Sequence, residues 1–445
     1  MSFTSSDRPH SRWSDVYVAA GARGISSCGD FLAATALALA LQGAGAGGLA
    51  VSGLLLAATL PLVVLAPLTG RLADRVDSRR LLIGAGLAQA AVCAALAYVH
   101  SPALIIVLMG LLACGLAVTQ PTLAALLPQL VRRDDLPKAS AINQTAGTLG
   151  ILAGPALAGL LVGQFGVRLP LLLDAASYLA LVAAGLLLRT RRGGAPAAGP
   201  ATERPAGLHW RLRRDPLVLA MAVAIAGVVG GVGAINVIEV FFIRETLGSS
   251  ETVYGIVAAM WTAGMMVGAW AFTGAARRTG SDGTLVRGML LMLAGCCVIV
   301  LVAAGVPAAG WLIPLWLLGG LFNGGMGVFE TVVVARRVPP EVRGRAFAAM
   351  GAAIQGAAMV GYLLGGLLLE VLAPRPLVAI CGVAGLLAVV AVLPMVVRAG
   401  RHEATERHHA DDQGATPAPD QPRGPDVVVP GPAVTAASAT SGPAA

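Results

Sequence analysis

Gly70-Arg71-Leu72-Ala73-Asp74-Arg75-Val76-Asp77-Ser78-Arg79-Arg80-Leu81-Leu82 lies between two long apolar stretches, and its reading decides the fold. Five charges of both signs fall within the seven residues Asp74 to Arg80. Charges at that density cannot rest in hydrocarbon, so the segment is a short polar hinge joining two membrane spans. The whole chain agrees with that reading: 56% of it is hydrophobic and 12% charged, where a soluble domain carries roughly a quarter charged residues.

A spanning helix takes about 20 apolar residues. Stretches of that kind occur at 17–41, 49–73, 81–99, 102–127, 140–165 and 169–189, and again at 217–243, 252–276, 285–305, 311–335, 345–369 and 376–398. The expected fold is an all-α integral membrane protein of twelve transmembrane helices in two six-helix pseudo-repeats. The expected divisions are an N-terminal segment (1–16), a first bundle (17–189), a linker rich in Arg, Pro, Gly and Ala (190–215), a second bundle (216–398) and a tail (399–445). The tail lacks periodicity and reads as disordered. Met1 to Val16 is polar, with no apolar core and cleavage site of a signal peptide, so insertion rests on the first span.

The formal charge of +8 could suggest nucleic acid, but the basic residues sit between apolar runs and form no continuous stripe, so no such partner is expected. Arg71, Arg75, Arg79, Arg80, Arg132, Arg133, Lys138, Arg277, Arg278, Arg287, Arg336, Arg337, Arg343, Arg345 and Arg398 fall on one side of the twelve-span scheme. Only Arg168, Arg244 and Arg375 fall in the opposite loops. The positive-inside rule then places both termini in the cytoplasm of a bacterial plasma membrane. The six cysteines lie in apolar runs, without a CxxC pair or a Cys/His cluster, so neither disulfides nor a metal site is expected. No cofactor is expected either, and no phosphate-cradling Gly-rich Lys-Ser/Thr loop is present.

The halves repeat. Leu130-Val131-Arg132-Arg133-Asp134-Asp135-Leu136-Pro137-Lys138-Ala139 precedes a span containing Gly154-Pro155-Ala156-Leu157-Ala158-Gly159. Ala335-Arg336-Arg337-Val338-Pro339-Pro340-Glu341-Val342-Arg343-Gly344-Arg345 precedes one containing Gly361-Tyr362-Leu363-Leu364-Gly365-Gly366. A second copy of the hinge, Gly274 to Leu285, is degraded, with Arg278 roughly where Asp74 would fall.

The hinge pattern Gly70, Leu72, Asp74, Arg75, Arg79 and Arg80 resembles the loop between the second and third helices of the major facilitator superfamily. Leu127-Pro128, Asn143-Gln144, Gly154-Pro155, Arg336-Arg337-Val338-Pro339 and Gly344-Arg345 are similar to its exporter branch of enterobactin-exporter and macrolide-efflux-like proteins. The resemblance implies parallel six-helix repeats with a substrate site between them near the midplane. It also implies that Asp74, with Arg75 and Arg79 as loop partners, latches the cytoplasmic end of the eleventh helix in the outward-facing state. There Asp74 could meet a positive helix N-terminus near Gly344, or pair with Arg343 or Arg345. Gly150, Gly154, Pro155 and Gly159 resemble the antiporter signature of drug exporters, with Ala158 in place of one Gly. Gly147, Gly150, Gly154 and Ala158 share a helical face, which Gly264 and Gly268 of the eighth span could meet; ordinary packing of small residues would look the same. The fourth span, Pro102 to Leu127, lacks the arginine that many drug/proton antiporters carry there.

Ionisable residues inside spans are functional candidates by default. Asp30 is the deepest acid of the first half and the leading proton-coupling candidate, with Glu239 and Glu330 as alternatives. Arg23, seven residues before Asp30 and on its face, is either part of the coupling or the structural partner of Asp30. Asp174 and Glu370, near span ends, read as interface anchors. Every histidine lies outside the spans, so a relay must use carboxylates, whose neutral form desolvation favours. Trp316, Asn236, Asn323 and Gln355 are the expected polar lining of an otherwise apolar cavity, with Trp316, Asn323 and Glu330 on one face of the tenth span.

The expected function is secondary transport rather than enzymatic catalysis. A monomer would export small amphipathic organic molecules, such as a drug, antibiotic, secondary metabolite or siderophore, by proton antiport. A proton-coupled importer is the competing transport reading. A membrane sensor or membrane enzyme is more remote, because clustered His/Asp ligands and a Ser/His pair are missing.

Overall fold

The computed structural model describes residues 11–188 and 215–414, except for the side chains of Asp74, Glu341 and residues 399–414. Among the described residues, twelve helical stretches are long and apolar enough to cross a membrane. In chain order the helices are α1 (Trp13–Gly43), α2 (Gly47–Val64), α3 (Ala66–Arg75), α4 (Ser78–Leu96), α5 (Pro102–Leu130), α6 (Leu136–Phe165), α7 (Arg168–Leu187), α8 (Pro216–Val232), α9 (Ile235–Phe241), α10 (Glu251–Arg278), α11 (Asp282–Ala303), α12 (Leu312–Arg337), α13 (Pro340–Leu369) and α14 (Pro374–Gly414). Exposed apolar side chains such as Val107, Leu187, Leu291 and Leu387 form the surface that hydrocarbon covers.

Two spans are broken. The second divides at Leu65 into α2 and α3; Pro67, at the start of α3, has no N–H to carry the helical ladder across. The seventh divides after Val232, where Gly230, Gly231 and Gly233 supply little helix propensity. It resumes as α9 and ends in a π-helical turn, Phe242–Thr246. Gly361 and Gly365 of α13 pack closely on this break: a Cβ on Gly361 would lie 3.0 Å from the Gly230 carbonyl oxygen.

Three expectations are corrected. The hinge is mostly helix, because α3 runs through Arg75 and α4 starts at Ser78, where Asp77 Oδ1 accepts from the Arg79 N–H at 2.7 Å. Helix α13 begins at Pro340, before Gly344. Residues 399–414, read as tail, continue α14; their Ala, Glu and Arg content favours helix, and Glu403 stands four residues before Arg407. Most of the linker (189–214) and residues 415–445 lie outside the described residues.

Candidate functional site

Among the described residues, the hydrogen bonds between the two halves gather at one end. At the end away from the hinge, Ser52 Oγ donates to the Tyr362 carbonyl at 2.7 Å, linking α2 to α13. Gln42 Nε2 donates to Glu245 Oε1 at 3.1 Å, and Thr252 Oγ1 donates to the Gly159 carbonyl at 3.4 Å. One apolar cluster there takes in Leu37, Leu41 and Leu54 of the first half with Val237, Phe242 and Leu312 of the second. Toward the hinge end, Leu217, Met289 and Val334 belong to a separate cluster of the second half, and Val16, Leu130 and Ala139 to another of the first. Gly70, Gly344 and Gly351 continue the facing surfaces of the second and eleventh spans, yet a Cβ on any of them would meet nothing within 4 Å. Among the described residues, the bundle is sealed at one end and open at the hinge end.

The seal has a polar clasp. Gly47 opens α2 with φ +74°, which only glycine adopts without strain. A Cβ there would also stand 2.9 Å from Glu370 Oε1. The Glu370 carboxylate accepts from the Leu49 N–H at 3.4 Å, so the anion capping the end of α13 sits on the N-terminus of α2. Such a contact is worth roughly 0.3–1 kcal/mol. Glu370→Gln is therefore expected to move the equilibrium about two- to fivefold toward the conformation open at this end. Labelling of a cysteine introduced at Ser52 in a cysteine-free background checks this; unchanged labelling would mean that Glu370 does not hold the seal.

Asp30 lies half-buried on α1, and its Oδ1 accepts from the Tyr178 hydroxyl at 2.6 Å. One turn back on α7, Asp174 is fully buried; it accepts from Ser177 Oγ at 2.9 Å and from Cys93 Sγ at 3.2 Å. Asp174 stands beside the Asp30 turn of α1, because a Cβ on Gly29 would meet the Asp174 and Ser177 side chains. Sequence position marked Asp174 as an interface anchor; instead α7 packs on α1 and α4 and brings it into the cluster. Among the described residues neither carboxyl pairs with Lys or Arg. Arg23 does not reach Asp30: it lies against Gly147 of α6, with its Nε buried and unpartnered. Seven residues give two helical turns, so a shared face is not contact.

In the second half, Glu239 is half-buried on α9, with its Oε1 buried and without a hydrogen-bond partner among the described residues. Trp316 is only 3% exposed and meets Trp261 edge-on at 6.4 Å, so it belongs to the interior of this half and not to an open cavity wall. The reason is close packing of α10 on α12: a Cβ on Gly264 would lie 2.8 Å from the Leu321 nitrogen, and one on Gly324 2.8 Å from the Ala269 nitrogen. Asn323, Gln355 and Glu330 are half-buried, and Asn236 is exposed with its amide donating to the Gly233 carbonyl at 3.0 Å.

The glycine face of α6 divides between two partners. Gly150 and Gly154 pack on α1, where a Cβ on Gly154 would stand 2.8 Å from the Cys28 carbonyl oxygen and 2.8 Å from Phe31 Cβ. Gly264 and Gly268 are taken up by α12, so they are not the facing surface. Pro155 and Gly159 meet the other half at Gly255, and Gly163 stands against Thr252; a Cβ on Gly159 would lie 2.9 Å from Gly255 Cα. Of the latch residues, Leu72, Arg75, Arg80 and Arg345 are exposed and Arg79 is half-buried, while the Asp74 side chain lies outside the described residues. Arg343 is turned to its own half, donating to the Ala335 and Val338 carbonyls at 2.7 and 3.2 Å, where it closes the C-terminal end of α12. Arg337 joins Asp215 at 2.9 Å and Asp282 at 3.5 Å, bracing three helix ends of the second half.

Comparison with known proteins agrees with this architecture. The profile of a family described as transmembrane secretion effector, MFS_3, matches residues 16–432. An uncharacterized MFS-type transporter, YfiS, of Bacillus subtilis (strain 168) is 26% identical over 80% of this chain and 87% of its own length. Macrolide efflux protein A of Enterococcus faecalis is 29% identical over 120 residues, 26% of this chain and 37% of that protein. Among solved structures, the nucleoside transporter NupG superposes with a TM-score of 0.69 at 14% identity, covering 86% of this chain and 99% of NupG. A bacterial homologue of the iron transporter ferroportin, in an inward-facing state, gives 0.66 at 18% identity over 86% and 99%. These likenesses establish the fold, and every one of these proteins is a membrane transporter or efflux protein.

Proposed function

We propose that this chain, which belongs to the transmembrane secretion effector family of the major facilitator superfamily, exports small amphipathic organic molecules from a bacterial cytoplasm by proton antiport. It acts as a monomer in the plasma membrane, with the arginine-rich hinge end and both termini in the cytoplasm. The observation that carries the reading is a bundle sealed at one end and open at the hinge end, with the Asp30 and Asp174 carboxyls held by neutral donors alone. An opening toward the cytoplasm is where an exporter loads its cargo. A carboxyl pair without a cation is suited to take up and release a proton once per cycle. The partial likeness to macrolide efflux protein A favours export of amphipathic cargo. Cells stripped of their own pumps and expressing this protein are expected to retain less of at least one compound in a panel of macrolides, dyes and lipophilic antibiotics. Retention equal to empty-vector cells across the panel would count against export.

In this reading Asp74 latches the cytoplasmic end when the protein turns outward, and the free space at Gly70 and Gly344 supports a latch that is open in this conformation. Asp74→Asn is expected to lower export and to raise labelling of a cysteine at position 344 from the cytoplasmic side by about two- to fivefold, the range of a lost anion–helix contact. Abundance should be unchanged. Normal export with normal labelling would remove Asp74 from the switch.

A further inference from the structure

We infer that Arg23 of α1, flanked by the neutral donors Ser27 and Asn143, is a binding site for the carboxylate of an anionic amphipathic molecule. This inference rests on the transport reading, and it names a class of cargo that the first half would hold. A guanidinium is always charged and cannot lose its proton to suit a membrane interior, so an arginine in a span calls for an anion. Arg23 stands ten residues past Trp13, about 15 Å along the helix. Among the described residues no carboxylate pairs with it. Its Nε is enclosed without a partner, while its two terminal nitrogens are neither enclosed nor hydrogen-bonded. Asp30, two turns farther along the same face, accepts from the Tyr178 hydroxyl instead.

The packing around Arg23 holds it in place for such a ligand. Val16 and Ala19 share its face of α1 and pack with Leu127 and Leu130 of α5 and Ala139 of α6. Arg23 therefore stands in the angle between three helices, past the apolar contact that joins their hinge ends. Its side chain lies along Gly147 of α6, where a Cβ would come within 2.8 Å of Nε and 3.5 Å of Cδ. The missing side chain of Gly147 is thus the space that the arginine fills. Ser27, one turn on, faces the same helix, since a Cβ on Gly150 would stand 3.1 Å from Ser27 Cβ. Asn143 lies one turn before Gly147 on the same face of α6. Both are half-buried, and among the described residues neither side chain has a hydrogen-bond partner. A planar guanidinium grips a carboxylate through two parallel N–H bonds, and neutral hydroxyl and amide donors suit the lone pairs that remain.

The test uses the full-length protein in nanodiscs of zwitterionic phosphatidylcholine and two probes of one shape, anionic 4-butylbenzoate and neutral 4-butylbenzamide. Calorimetry at neutral pH without any gradient, corrected for empty nanodiscs, measures binding. Wild type is expected to bind the benzoate in preference to the benzamide. Arg23→Gln should weaken benzoate binding by about tenfold or more, the scale of one lost hydrogen bond to a charged group, and leave benzamide binding unchanged. Arg23→Lys keeps the charge without the fork and should retain a reduced preference. Gly147→Ala should weaken the benzoate several-fold, because the nearest atoms its methyl meets all belong to the Arg23 side chain. Alanine favours helix, so this variant decides the matter should Arg23→Gln not fold. No benzoate binding by wild type, equal loss of both probes in Arg23→Gln, or full benzoate binding by Gly147→Ala would overturn the site. The ratio of wild type to Arg23→Gln should be the same in nanodiscs containing phosphatidylglycerol. Its collapse there would assign Arg23 to a lipid headgroup and overturn the cargo site. Because no export is involved, failure here leaves the exporter reading standing, and failure of export leaves this binding result standing.

Discussion

Asp30→Asn is expected to reduce pH-gradient-driven efflux to background, a fall of at least about tenfold, while cargo still equilibrates down its own gradient. The exchange keeps the side-chain shape and its contact with Tyr178, whose hydroxyl can donate to the amide oxygen as it does to Asp30 Oδ1 at 2.6 Å. What it removes is the titrating group on the half-buried side of the cluster; Asp174 behind it is fully enclosed. Reconstituted vesicles separate the two activities: counterflow without a gradient should persist and accumulation with one should vanish. Arg23→Ala serves as the companion variant. Since Arg23 and Asp30 form no ion pair, it should not reproduce the Asp30→Asn split between uphill and downhill movement. Wild-type accumulation by Asp30→Asn would transfer the coupling role to Glu239 or Glu330.

Gly159→Leu is expected to disable transport by a different route. Its side chain would enter the contact with Gly255, where even a Cβ would stand 2.9 Å from Cα across the two halves. Overpacking costs roughly 1–3 kcal/mol. Here that cost falls only on the sealed conformation, so the equilibrium should swing about 5- to 150-fold toward the form open at this end. Gly154→Leu contrasts with it, because Gly154 packs on α1 inside one half, so the same bulk should lower folded protein without biasing the conformation. Labelling of a cysteine at Ser52 distinguishes them, rising in Gly159→Leu alone. Equal labelling of both variants and wild type would mean that the Gly159–Gly255 contact is not part of the moving interface.

The contrast between Gly154 and Gly159 illustrates what sequence could and could not supply. Twelve spans and a two-half repeat follow from apolar length and from the alternation of arginines, both properties of single segments. Partner choice is a property of pairs. In a chain with 57 glycines, a small-residue stripe on α6 states that some helix comes close, but not whether it is α1 or α10. The same holds for Asp174: its place near the end of α7 suggested an anchor, and only the packing of α7 on α1 and α4 brings it beside Asp30. Trp316 read as cavity lining because it shares a face with Asn323 and Glu330, whereas the close packing of α10 on α12 encloses it. The break in the seventh span had a local signal, the glycines 230, 231 and 233, masked by the uninterrupted apolarity around them. Asp30 and Glu239 were legible because a carboxylate in a span is conspicuous without knowledge of its partners.

Everted membrane vesicles carrying the protein, with an inside-acid gradient imposed, test the central claim most directly. A proton antiporter that exports from the cytoplasm should accumulate a transported cargo in the lumen of such vesicles. The accumulation should collapse on addition of a protonophore and should be missing from vesicles bearing Asp30→Asn. Accumulation in right-side-out vesicles under an inward proton gradient, with none in everted ones, would contradict the account and make the protein an importer.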